Sequence, residues 1–232
     1  MSSLANPSSI PTTETTPQVH KGLASMFPNK PNEKTIDYQG MNGYSHKLEL
    51  KRVYEMGNGI RFVNYEGWMA DSESGSKEER KIYIDYYISD TEIIEDIKNL
   101  DKHHPEKSNT ILSIIPKQIV LQAPLELNHS WTQEFEYSSL NEKNGTDLGI
   151  QRLTAKHTIA KVEQNKGKVS FTIETKVEGI KGYHQNTYKE VKVWETGKGL
   201  VSFDQSLPVY QSFRGNEENA KKLLSFHLER ID

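Results

Sequence analysis

The segment from Lys168 to Val177, KVSFTIETKV, sets Val169, Phe171, Ile173 and Val177 on one side and Ser170, Thr172, Glu174 and Lys176 on the other. A period of two over this length predicts a strand with one face in the core and one in water, as antiparallel sheets have. RKIYIDYYIS repeats the pattern with Ile82, Ile84, Tyr86 and Ile88 on the apolar face. SWTQEFEY sets Trp131, Gln133, Phe135 and Tyr137 against Thr132, Glu134 and Glu136. Gly57-Asn58-Gly59 and Asn165-Lys166-Gly167-Lys168 separate alternating runs, the short-range signal of a hairpin. Helical periodicity is scarce. The best helix candidate, GNEENAKKLLSF from Gly215, can equally begin a closing strand.

The order of these elements repeats. An aromatic strand around Tyr38 and then Trp131 precedes a long charged strand, Leu48 to Met56 and then Leu153 to Val162. After a Gly turn comes an alternating strand, Ile60 to Trp68 and then Val169 to Val177. Aromatic strands follow at Ile82 to Ser89 and Tyr188 to Glu195, then apolar ones at Glu92 to Ile97 and Leu200 to Gln205. Equivalent turns lie roughly 108 residues apart, a spacing that suggests two meanders of one design over 27–100 and 117–210. A true duplication and a chance likeness between two Gly-turned meanders both fit this spacing. The linker between them reads NLDKHHPEKSNT. The expected fold is mainly β: two sequential antiparallel meanders forming a curved sheet or half-barrel, with little helix.

The chain opens MSSLANPSSIPTTETTPQVHKG, which is polar and has no apolar period. Such a stretch buries too little to offset the entropy of ordering it. Residues 1–26 are therefore expected to be a disordered Ser/Thr/Pro-rich tether, and 27–232 a single β-rich domain.

Composition narrows the function classes. Apolar residues make up only 34% of the 232, but eleven Tyr, seven Phe and three Trp can fill a core. Twenty-nine basic residues against thirty-two acidic ones leave a net charge of −3, without the basic excess of a nucleic-acid binder. No apolar run is long enough to cross a membrane as a helix, and no secretory leader is visible. The absence of Cys rules out disulfides, thiolate metal sites and thiol nucleophiles in this sequence. It fits a reducing cytoplasm, and it fits an exported protein that avoids thiols.

Three stretches carry a resemblance. VLQAPLELNHSW, then LTAKHTIAKVE, then WETGKGLVSFD are similar to an uncharacterised extracytoplasmic lipoprotein family of Gram-positive bacteria of the Bacillus and Clostridia type. Its members look like an aPLkvGxxW segment, a strand pair ending in a GvGLV turn, and a closing strand such as LSFHLERI. FPNKPNEKTIDYQG resembles the family's opening, so the likeness runs from Phe27 to Ile231. Thr35-Ile36-Asp37 stands where the family's first Trp is usual, and Asn128 replaces the Gly before its second. The resemblance implies a lipid anchor and a place on the outer face of the cell membrane, with Met1 standing for the lipidated Cys. The polar segment would then be a spacer with a reach of roughly 25 Å on random-coil scaling. The family brings no catalytic residues to carry over.

Candidate chemistry is sparse. His103 and His104 are adjacent and lack further ligands, so they read as linker rather than metal site. His157 shares the apolar face of Leu153, Ala155 and Ile159, which suits a satisfied core histidine, with a general base as the other reading. Asp71, Glu73, Glu78 and Glu79 lack the ligand spacing of a calcium loop. There is no nucleophile elbow and no HExxH, and neither cofactor nor metal is expected.

The surplus is aromatic. Tyr83 and Tyr87 oppose the Ile82/Ile84 face, and Trp194 alternates against Val191 and Val193, which sets it likewise on the outward or second-buried side. With Trp131 and Tyr188 these five are the candidate ligand-binding residues, core packing being the other reading. The leading expectation is a non-enzymatic envelope lipoprotein domain that binds an apolar or envelope-derived ligand, or a protein partner, on the concave side of its sheet. The alternatives are an interaction or assembly module without a small-molecule pocket and, third, a hydrolase built on carboxylates.

Overall fold

The alternating runs become twelve strands in a computed structural model, which describes residues 22–31, 35–40, 45–71, 78–99, 114–115, 117–140, 147–181, 186–206 and 225–231. The strands are β1 (Ile36–Gly40), β2 (Ser45–Glu55), β3 (Arg61–Asp71), β4 (Glu78–Ile88), β5 (Glu92–Asn99) and β6 (Lys117–Gln122), followed by β7 (Ser130–Leu140), β8 (Asp147–Asn165), β9 (Lys168–Val177), β10 (Tyr188–Glu195), β11 (Gly199–Ser206) and β12 (Ser225–Ile231). All belong to one antiparallel sheet, in the order β6-β5-β4-β3-β2-β1-β12-β11-β10-β9-β8-β7. Each half of the chain is thus a six-stranded meander, and β1 joins β12 where the halves meet. The sheet curls until its edges, β6 and β7, face each other as a nearly closed barrel. This is the expected curved, mainly β fold, and no α-helix occurs among the described residues.

The halves share register as well as order. Leu50 pairs with Tyr65 and Arg52 with Asn64, with a bulge at Lys51 between them. Ile159 pairs with Ile173 and Lys161 with Thr172 around a bulge at Ala160. Each bulge leads to a tight turn whose Gly has positive φ, 71° at Gly59 and 80° at Gly167, where a side chain would strain the backbone. The bulge also switches faces: beyond Lys51 it is Tyr54 that points outward.

The β6–β7 junction closes by side chains. Ile119 N–H donates to Gln133 Oε1 at 2.8 Å, Trp131 Nε1 donates to Ile119 O at 3.0 Å, and Gln133 Nε2 donates to Lys117 O. Inward-facing residues of β7 therefore satisfy the β6 edge in place of a backbone ladder.

The folded unit begins before Phe27. Leu23–Met26, the last part of the expected tether, forms a 3-10 turn with Leu23 and Met26 buried, so the packed structure includes residues before 27. The reason is packing: Leu23, Met26 and Phe27 supply the apolar stopper for one end of the barrel. The remainder of the expected tether, His103 and His104, the turn at Asn144-Gly145 and most of the GNEENAKKLLSF segment lie outside the described residues; its last two residues, Ser225 and Phe226, open β12.

Candidate functional site

The lumen is filled, and part of its filling is charged. On β10, Tyr188, Glu190, Lys192 and Trp194 all point inward and are no more than 3% exposed, while Val191 and Val193 lie half-buried outside. The expected placement of Trp194 on the outward side is corrected accordingly. Both faces of β10 are apolar enough to go inside, and what decides is that the charges on the Trp194 face find partners across the lumen.

Lys192 Nζ reaches Glu95 Oε1 at 2.5 Å and Gln118 Oε1 at 2.9 Å, and lies 3.4 Å from Glu190 Oε2. Tyr86 OH donates to the other oxygen of Glu95 at 2.9 Å. Gln118 Nε2 donates to Glu190 Oε1 at 2.7 Å, and Tyr188 OH to Glu190 Oε2 at 2.8 Å. Each carboxylate oxygen thus has a donor, which is the condition under which buried charge is tolerated. Burial pulls the Lys192 ammonium down, but Glu190 and Glu95 outweigh it and its pKa is raised. The ion cluster ties β5 and β6 of the first half to β10 of the second.

A cavity of about 30 Å³ adjoins the cluster, bordered by Tyr38, His46, Tyr86, Glu95 and Lys192. That is room for a water or two, against the ~300 Å³ or more of a typical small-molecule site. Burial lowers the pKa of His46 to about 4. His157 is fully buried, with Nδ1 2.9 Å from Thr175 Oγ1. Burial, and then the Lys192 charge, bring its pKa to about 3. Both rings are neutral at physiological pH, and His157 is a core residue stacked on Trp131, 5.2 Å between centroids.

The outer face is different. Tyr54, Phe62, Tyr87, Ile94 and Ile119 are direct cross-strand neighbours from β2 to β6. The Tyr54 and Phe62 rings lie 5.0 Å apart, those of Phe62 and Tyr87 5.4 Å, and Lys117 Nζ stands 5.2 Å from the centre of Tyr87. Tyr54 is 49% exposed. Farther along β3, Trp68 is also exposed and carries Lys81 over its ring at 5.3 Å. Between these ends, Asp85 accepts from Asn64 at 2.8 Å and from Lys98 at 2.5 Å.

The five candidate binding residues fall into separate neighbourhoods. Tyr83 and Tyr87 are half-buried on the outer face of β4, and Tyr87 belongs to the aromatic row. Trp131 sits at the β6–β7 junction, Tyr188 in the ion cluster and Trp194 under the apolar stopper. The charged lumenal residues Glu95, Glu190 and Lys192 were missed, although alternation carries the signal: each shares the parity of the apolar residues around it, Ile93 and Ile97 on β5, Tyr188 and Trp194 on β10. Among the described residues no group of three or more His, Asp or Glu side chains is placed to hold a metal ion.

No family model and no curated protein matches the chain. A solved structure similar to it is the 2.70 Å crystal structure of a candidate lipoprotein from Parabacteroides distasonis ATCC 8503, 15% identical, covering 88% of this chain and 96% of that one, with a TM-score of 0.45. A likeness this distant carries no argument about what this chain does.

Proposed function

We propose that the chain is a non-enzymatic binding domain of the Gram-positive cell envelope, held by a lipid anchor at the outer face of the membrane, that engages a protein partner through the outer face of β2–β6. The contrast between the two faces carries this reading. The lumen is packed with side chains, and the cavity beside the ion cluster is about 30 Å³, too little for a lipid tail or a sugar ring. The outer face offers a contiguous row of three aromatic rings and two Ile, with Lys117 at its rim. Exposed aromatic side chains with a nearby cation are the usual anchors of protein interfaces. The envelope address rests on the family resemblance and on the polar composition of the first 22 residues.

The test is photo-crosslinking in intact Gram-positive cells from a benzophenone side chain at position 54. A discrete protein adduct that disappears in the Tyr87→Ala background supports the reading. A bare chain, with a lipid or glycan adduct retained in native mass spectrometry, would replace it with envelope-ligand binding. Full-length protein found wholly in the cytosol would end the membrane address.

A further inference from the structure

Residues 22–29 enter the barrel end that carries the β2–β3, β4–β5, β8–β9 and β10–β11 turns, and they are held there as a bound peptide is held. Leu23, Met26 and Phe27 are buried there together, and Phe27 is the aromatic anchor. The Phe27 ring lies 4.7 Å from Tyr86, 5.9 Å from Trp194 and 6.4 Å from Tyr65, and it is 3% exposed. The main chain is gripped by its carbonyls: Arg61 donates to Ala24 O at 3.1 Å and Pro28 O at 2.6 Å, and Gly197 N–H donates to Ser25 O at 2.8 Å. Arg61 adds a bond to Asn29 Oδ1 at 3.0 Å. None of this uses a strand ladder, so the segment has a contact set distinct from that of the sheet.

Two of the rings around Phe27 carry donors that Phe27 leaves idle. Tyr65 OH and Trp194 Nε1 are buried without an acceptor among the described residues. Buried donors of this kind are destabilising until something accepts from them. A benzyl ring has no acceptor to offer, whereas a phenol or another ring bearing an oxygen does.

We propose that this end of the barrel is a peptide-binding site which the chain's own residues 22–29 occupy in cis, and that its partner is a peptide segment presenting an aromatic anchor with a hydrogen-bond acceptor, such as tyrosine. The cis segment then acts as a built-in competitor, and a partner peptide displaces Phe27 from its place against Tyr86 and Trp194 while the strands stay paired. Gly199 makes the site specific in shape, because a Cβ there would come within 3.2 Å of the Phe27 ring. This site is independent of the outer aromatic row.

The test uses the full chain carrying Phe27→Ala and a labelled peptide with the sequence of residues 22–30, GLASMFPNK. The peptide is expected to bind the variant at least tenfold more tightly than the wild-type chain, where the cis segment competes. The same peptide with Tyr in place of Phe should bind more tightly still, and with Ala in its place not measurably. No binding to a variant whose strand content is intact, or equal binding of the Phe and Ala peptides, overturns the proposal. Hydrogen exchange on the wild-type chain keeps the test decisive if Phe27→Ala does not fold. The Gly197 amide should then exchange at least a hundredfold faster than the β9–β10 ladder amides, and exchange of both at one common rate means the segment is ordinary core and sinks the idea.

Discussion

Tyr86 and Trp194 stand 108 residues apart in the chain and meet edge to face in the lumen, their rings 5.7 Å apart at 89°. They occupy corresponding places in the two meanders. Val63 pairs with Tyr86 as Phe171 pairs with Trp194, and Tyr65 pairs with Ile84 as Ile173 pairs with Lys192. The same offset sets Ile82 against Glu190 and Gly67 against Thr175. The strand plan is therefore shared, while the chemistry is divided. At these positions the first half presents Ile82, Ile84 and Gly67 to the lumen and the second presents Glu190, Lys192 and Thr175, while the partners Glu95 and Gln118 come from β5 and β6 of the first half.

That division makes Lys192→Ile, the residue found at the corresponding place in the first half, a severe change. It leaves the Glu95 and Glu190 carboxylates buried without their cation, and breaking a buried pair costs about 3–5 kcal/mol. Urea unfolding should register that loss. Adding Glu95→Leu and Glu190→Ile should restore most of it, since an apolar replacement of a whole buried cluster is often neutral. A triple variant no more stable than the single one would mean that packing, not charge, governs the site.

The two buried histidines set an acid limit. In the unfolded chain each has a pKa near 6.5, whereas folding lowers His46 to about 4 and His157 to about 3. Below pH 6.5 the unfolded chain takes up protons that the folded barrel refuses, so stability falls as pH falls. Each histidine contributes a slope of about 1.4 kcal/mol per pH unit, ending near pH 4 for His46 and near pH 3 for His157. His157→Gln retains a partner for Thr175 and removes one titration. Its stability, measured by urea unfolding between pH 6 and 4.5, should fall less steeply than that of wild type by about 1.4 kcal/mol per unit. Equal slopes would mean that His157 is protonated inside the fold.

Closure at β6–β7 rests on few groups. Gln133→Ala removes the partners of the Ile119 N–H and the Lys117 carbonyl together, a cost of about 1–3 kcal/mol. Exchange of the Ile119 amide should accelerate while that of the β3–β4 ladder stays unchanged. Gln133→Glu keeps the acceptor and loses the donor, and should fall between. If all amides accelerate together, the junction is not a separate closure but part of one cooperative sheet.

Much of this architecture is legible along the chain. Alternation marks Val169 to Val177 and Ile82 to Ile88 as strands with one buried face, and the Gly turns mark the hairpins that join them. Which face of β10 turns inward is not legible, because Val191 and Val193 are as apolar as the row of Tyr188 and Trp194. That choice depends on Glu95 and Gln118, more than 70 positions away in the chain, whose partnership exists only once the barrel curls. The bonds across the β6–β7 junction are hidden for a related reason. Gln133 on the inward row of an amphipathic strand looks like a polar intrusion until the β6 edge is seen to need it.

The outer row separates stability from recognition. Phe62 is 8% exposed beneath Tyr54 and Tyr87, so Phe62→Ala should cost about 3 kcal/mol, as large-to-small changes at buried aromatics do. Tyr54 stands above it with half its surface in water, and Tyr54→Ala should change stability by only about 0.5 kcal/mol. If the row is a partner surface, Tyr54→Ala nevertheless loses the partner, because a half-exposed ring gains most of its burial in the complex and truncating such an anchor costs about 2 kcal/mol or more of binding. The measurement is a pair of numbers on one variant: thermal midpoint in isolation, and yield of the adduct in cells when the crosslinker is moved to position 87. An unchanged midpoint with the adduct lost assigns Tyr54 to recognition. An unchanged midpoint with full adduct yield means the partner does not read this row.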